Sequence, residues 1–134
     1  MVVTAVPGEH YPAVQGGQVA VVSLPAEIDI ANGDYIREDL LSVINRGPAL
    51  LVVDMSATDF CDSAGVNALI RAFKRAAANG TEMRLVVPNR NVQRILALTG
   101  VDRLIDIYPS VSAATADVTH SGEADPDDRA AQPT

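Results

Sequence analysis

Apolar and polar positions along this chain fall into blocks, and the period changes from block to block. Leu50-Leu51-Val52-Val53 is an unbroken apolar run, too short for a helix and suited to a strand buried on both faces. Polar and small residues follow as a loop to Cys61. Asp62 then offers an N-cap, and Val66, Leu69, Ile70, Phe73 and Ala77 recur at helical spacing. A buried strand thus runs through a loop into a helix start, and that start carries the Ser63 hydroxyl.

The flanking blocks repeat the theme. Residues 1–10 hold Val2-Val3 but no clear period and read as a lead-in. Tyr11 to Val14 reads as a weak strand, Gln15-Gly16-Gly17 as a turn, and Gln18 to Leu24 as a second strand, so a β-hairpin opens the fold. Asn32 or Asp34 caps a helix with Tyr35, Ile36, Leu40, Val43 and Ile44 on one face, ended by Gly47-Pro48. The helix from Asp62 to Asn79 shows Arg71, Lys74 and Arg75 on its outer face. Glu82 to Val87 is a strand. Arg90 to Thr99 is a helix with Val92, Ile95 and Leu96 inward, closed by Gly100. Leu104 to Tyr108 is a last strand, and Pro109-Ser110 start a short helix to about Ala116.

The order ββαβαβαβα predicts a single α/β domain over 11–116. Its sheet is mixed and mainly parallel, with about five strands and helices packed against it. Residues 117–134 are acidic, contain proline and lack large apolar side chains, so they predict a disordered tail.

Composition narrows the function classes. The 48% hydrophobic and 20% charged content of these 134 residues fits a soluble globular protein. A net charge of -7 argues against duplex nucleic acid and against an anionic membrane surface. Tryptophan is absent and aromatics make up 4%, which leaves no platform for stacking bases. Cys61 is the one cysteine, so an internal disulfide is impossible, and a reducing cytoplasm is the expected location. The start lacks the basic and apolar pattern of a signal peptide, and no apolar run reaches the ~20 residues that span a bilayer.

Catalytic readings find little support. A phosphoacceptor of the receiver type places an aspartate where Asp54 stands, but it wants paired acids after an early strand, and Leu24-Pro25-Ala26-Glu27 stands there. His10 and His120, the two histidines, lie in terminal segments, away from any nucleophile. No glycine-rich phosphate loop is present. Cys61 reads as a small hydrophobe, and Asp54, Asp59 and Asp62 as a solvated loop plus an N-cap rather than a metal site. No enzyme, cofactor or metal is expected. Ser63 has two readings: a helix-start residue, or a phosphorylation target. A phosphate would add about -1.5 to -2 charges, which a helix N-terminus tolerates and a partner facing Asp59 and Asp62 would not. The physics permits such a switch without selecting it.

Four motifs in order carry a resemblance. Asp62-Ser63-Ala64-Gly65-Val66, after a Val-Val-Asp strand, resembles the Asp-Ser-Ser-Gly-Leu signature of the STAS domain, a family that includes bacterial anti-sigma factor antagonists. Pro25-Ala26-Glu27-Ile28-Asp29 resembles its Gly-Glu-Leu-Asp. Asn79-Gly80 and the strand after it resemble its Gly-Gly segment. Asn91 to Val101 resembles its Val-x-Arg-x-Leu-x-x-x-Gly-Leu helix end. The resemblance covers about Tyr11 to Ala116. In two places the chain departs from the pattern: Ala26 replaces a glycine, and Ala64 replaces the second serine, leaving Ser63 the only hydroxyl in the signature.

The resemblance implies a protein that binds an anti-sigma factor with a serine-kinase, histidine-kinase-like ATPase fold and so frees a sigma factor. The kinase would phosphorylate Ser63, the complex would part, and a serine phosphatase would reset it. Partner contacts are expected at Asp29, Asp59, Cys61, Asp62, Ser63, Ala64, Gly65 and Val66, with Ser56 and Thr58 as weaker phosphorylation candidates. A monomer is expected, with a Cys61-linked dimer as the alternative. Other STAS roles remain open here: a stressosome-like scaffold, a lipid-transport accessory subunit, a transporter regulator, or a nucleotide or small-ligand module.

Overall fold

The structure, a computed structural model, describes residues 2–5 and 18–118. In chain order its elements are β1 (Val2–Ala5), β2 (Val19–Ser23), β3 (Glu27–Ile28), α1 (Gly33–Asn45), β4 (Leu50–Asp54), β5 (Phe60–Cys61) and α2 (Ser63–Asn79). Then follow β6 (Glu82–Val86), α3 (Arg90–Thr99), α4 (Val101–Leu104), β7 (Asp106–Tyr108) and α5 (Val111–Ala114). Five strands form one sheet in the order β1-β2-β4-β6-β7. Every pairing in it is parallel. Strands β3 and β5 form a separate parallel pair.

Both faces of the sheet are covered, which is why β2 and β4 carry apolar runs instead of alternation. On one face Ala20, Val22, Leu51, Val53 and Leu85 pack beneath α1, α2 and α3, against Leu40, Ile44, Leu69 and Leu96. On the other, Val19, Val21, Leu50, Val52 and Val86 pack with Ala114 of α5. Asp62 caps α2, and Asn89 caps α3 by accepting from Val92 N at 3.0 Å. Gly80 and Gly100 end these two helices at φ 76° and 82°, where a β-carbon would be strained.

The mainly parallel α/β architecture matches the expectation; the small β3–β5 pair adds two strands that the expected order lacks, and the details differ in four further places. The expected hairpin strand, Tyr11 to Val14, lies outside the described residues, and the edge of β2 that it would use pairs in parallel with Val2–Ala5. That segment is short and β-branched, which suits a sheet edge. Tyr35, expected on the buried face of α1, is exposed, and Ala77 of α2 is exposed as well. The buried stripe of α2 keeps the expected Val66 and Leu69 and otherwise runs through Gly65, Ala68, Ala72 and Ala76, whose small size lets the helix lie close. Residues 101–104 form a helical turn, so the last strand starts at Asp106, not Leu104.

The fourth difference concerns the domain's end. Packing continues past the expected boundary at 116. Arg84, pointing from β6 to the α5 face, is nearly buried, and its guanidinium donates to Asp117 Oδ1 at 2.6 Å and Oδ2 at 3.0 Å. It also donates to the Ala114 carbonyl at 2.7 Å and to Glu82 at 2.8 Å, and lies over the Tyr108 ring. Val118 packs beside the same apolar cluster. A buried charge needs partners, and Asp117 supplies the bidentate one. The expected tail from 119 onward lies outside the described residues.

Candidate functional site

The loops after β2 and β4 leave the same end of the sheet and are stitched together. The Ala26 carbonyl accepts from Asp59 N at 2.9 Å and Phe60 N at 3.3 Å, and Asp62 N donates to the Ile28 carbonyl at 3.1 Å. The register of β3 against β5 pairs Glu27 with Phe60 and Ile28 with Cys61. Alternation turns Ile28 and Cys61 inward and Glu27 and Phe60 outward. Among the described residues no residue other than glycine has positive φ, so alanine at position 26 fits this turn without strain.

The first loop is locked by its own side chains. Asp29 Oδ1 accepts from Ala31 N at 2.9 Å, and Asn32 Oδ1 accepts from Asp29 N at 2.9 Å. Asn32 Nδ2 donates to the Glu27 carbonyl at 2.8 Å. Asn32 therefore occupies the N-cap position of α1 but spends its side chain on the loop. Asp29 is half-buried, and its carboxylate holds this turn.

The second loop ends at the start of α2. Asp62 Oδ1 accepts from Ala64 N at 2.9 Å and Gly65 N at 3.3 Å, the amides that a helix start leaves unpaired. Ser63, the first residue of α2, is exposed, and its hydroxyl makes no hydrogen bond among the described residues. Beneath it Gly65 sits directly on Cys61 and Ile28. Burial, and then the negative charge of Asp62, push the Cys61 thiol up to about 11.

The expected contact residues thus divide into two groups. Asp59 and Ser63 are exposed, and Asp29, Asp62 and Ala64 are half-buried, so these five form surface. Cys61, Gly65 and Val66 are buried; they shape the surface from below and offer a partner little area. Thr58 is 1% exposed and donates to the Pro25 carbonyl at 2.7 Å, which withdraws it as a modification site. Ser56 is exposed but bonded through both its amide and its hydroxyl to Asp54.

Sequence reasoning missed the apolar part of this surface. Ile30 is 85% exposed, Tyr35 74% and Phe60 47%. Ile30 and Ala64 line one shallow cleft between the starts of α1 and α2, where Gly33 allows close approach: a β-carbon there would lie 3.3 Å from Ala64 Cβ. The signal for Ile30 was present, an apolar residue isolated inside a turn sequence, Asp29-Ile30-Ala31-Asn32-Gly33.

Comparisons with known proteins converge on one family. A family model described as STAS domain matches residues 10–114. The anti-sigma F factor antagonist of Paenibacillus polymyxa is 28% identical over 99 residues, 72% of this chain and 85% of that protein. The anti-sigma-F factor antagonist RsfB of Mycobacterium tuberculosis is 26% identical over 100 residues, 75% of this chain and 81% of that protein. The crystal structure of an anti-sigma factor antagonist from Mycobacterium paratuberculosis superposes with a TM-score of 0.69 at 28% identity, over 75% of this chain and 85% of that one.

Proposed function

The chain belongs to the STAS domain family, and on that premise we propose that it is an anti-sigma factor antagonist switched by phosphorylation of Ser63. Its partner is an anti-sigma factor with a serine-kinase, histidine-kinase-like ATPase fold. Unmodified, the protein occupies that factor and a sigma factor goes free. The kinase then transfers a phosphoryl group from ATP to the Ser63 hydroxyl, the complex separates, and a serine phosphatase restores the hydroxyl. The protein acts by binding and carries out no catalysis of its own.

One observation carries the reading. Ser63 presents an exposed, unengaged hydroxyl at a helix start whose nearest amides Asp62 already holds. A phosphate on Ser63 would find Ala64 N and Gly65 N occupied by a carboxylate. Its added charge of about -1.5 to -2 would then be felt at the surface, next to Asp59 and Asp62. The exposed Ile30, Tyr35 and Phe60 provide the apolar contact area that the unmodified surface offers.

The test is to incubate the protein with ATP and each anti-sigma kinase of its own cell, then map phosphopeptides by mass spectrometry. The reading expects phosphate on Ser63 from at least one kinase. Phosphate on Ser56 alone, or on no residue with any kinase, contradicts it.

A further inference from the structure

Helix α2 carries Arg71, Lys74 and Arg75 and no carboxylate, in a chain whose net charge is -7. The three are exposed, and they line a groove between α1 and α2 together with Arg37, Glu38, Leu41 and Ala78. Arg37 and Arg71 also line the cleft beside Ile30 and Ala64, so the groove runs on from the Ser63 end of the helix. From Ala64 to Ala78 it extends about 21 Å along α2.

The fold engages only two of these cations. Arg37 is paired with Asp34 at 3.5 Å and Glu38 at 3.3 Å, and Arg75 donates to Asn45 at 3.0 Å. Among the described residues neither Arg71 nor Lys74 has an ion-pair partner. None of the three cations lies in the last turn of α2, where the helix dipole would favour it. Arg71 stands three residues from Lys74 and four from Arg75, spacings at which like charges repel. Two unpaired, mutually repelling cations, Arg71 and Lys74, flanked by Arg37 and Arg75 on an acidic protein, are complementary to something outside it.

We infer that the α1–α2 groove docks an acidic segment of the anti-sigma factor, as a second contact that orients the factor over Ser63. This rests on the function proposed above. The occupant is a protein segment of mixed character. Asp34 and Glu38 on the α1 wall repel a long polyanion such as a nucleic acid, whereas Leu41, Ala78 and the exposed Ile30 accept apolar side chains between the acids. The gradient from acidic and apolar at Ser63 to basic along α2 gives the docked factor one direction. Charges of this kind act mainly on the rate of encounter and on its salt dependence.

The experiment titrates purified anti-sigma factors of the same cell against wild type, against Arg71→Glu/Lys74→Glu, and against Arg94→Glu/Arg103→Glu as a reversal of equal size elsewhere. Association rates are measured at low and high salt, and melting curves confirm that all three proteins fold. The groove reversal is expected to slow association about 10- to 100-fold at low salt and to flatten the salt dependence, with the control within about threefold of wild type. Groove and control variants that both bind like wild type, or that lose affinity equally, overturn the groove and leave the proposed function standing. Wild type that binds none of the factors overturns both.

Discussion

Gly65 packs so closely on Cys61 that a β-carbon at position 65 would lie 2.5 Å from the thiol sulfur, and 2.7 Å from Ile28 Cγ2. The first turn of α2 thus rests directly on the β3–β5 pair, and Ser63 is held at a fixed height above it. Gly65→Ala would gain about 1 kcal/mol of helix propensity. The forced shift of a buried contact costs about 1–3 kcal/mol, and strain on the first turn adds to it. The expected net result is a lower melting temperature and weaker partner binding, read by thermal unfolding and titration. A variant more stable than wild type contradicts the close contact.

The Cys61 thiol is expected to be unreactive in the folded protein. With its pKa pushed up to about 11, roughly a thousandth of it is thiolate at pH 8, and that fraction is buried. Iodoacetamide should label it only once denaturant unfolds the chain. Rapid labelling of the native protein, or a disulfide-linked dimer after mild oxidation, would revive a redox role.

The Arg84–Asp117 pair is expected to make stability fall in acid. The hydrogen bonds from Arg84 hold the Asp117 carboxyl below the ordinary carboxylate range. A depressed carboxyl contributes stability that is fully present above its ordinary pKa, about 3.9, and is lost as pH falls through the lowered value. Asp117→Asn should therefore flatten the acid limb of the stability curve below about pH 4. Arg84→Ala should cost about 1–3 kcal/mol at neutral pH, because it strips the buried Ala114 carbonyl of its donor. An acid limb unchanged in Asp117→Asn contradicts the linkage.

What the sequence made legible was local. The run Leu50 to Val53, the cap at Asp62 and the glycines at 80 and 100 each encode their element through nearest neighbours, and each stands where its pattern put it. The motif order around Ser63 identified the family. What the sequence hid depends on contacts across the chain. Thr58 looks like a free loop hydroxyl until Pro25, 33 residues away, accepts its hydrogen bond. Cys61 looks like part of the exposed signature until β3 and β5 pair and turn it inward, and Gly65 and Val66 until the first turn of α2 packs onto that pair and the core. Arg84 interrupts an apolar strand with a charge, and only the return of Asp117 to the far face of the sheet explains it.

The central claim is that the charge at position 63 decides whether the anti-sigma factor binds. Ser63→Ala removes a hydroxyl without adding charge, and no hydrogen bond among the described residues is lost with it. Ser63→Glu sets a carboxylate beside Asp62 and Asp59 in a surface that binding must desolvate. An unpaired charge there costs about 2–5 kcal/mol, or roughly 30- to 5,000-fold in affinity. The helix dipole returns at most about 1–2 kcal/mol and stabilises the free protein as well, so it does not rescue the complex. Titration calorimetry of both variants against the same anti-sigma factor is the direct measurement. The account predicts that Ser63→Ala binds like wild type and Ser63→Glu at least about 30-fold more weakly. Equal affinity of the two variants would contradict it.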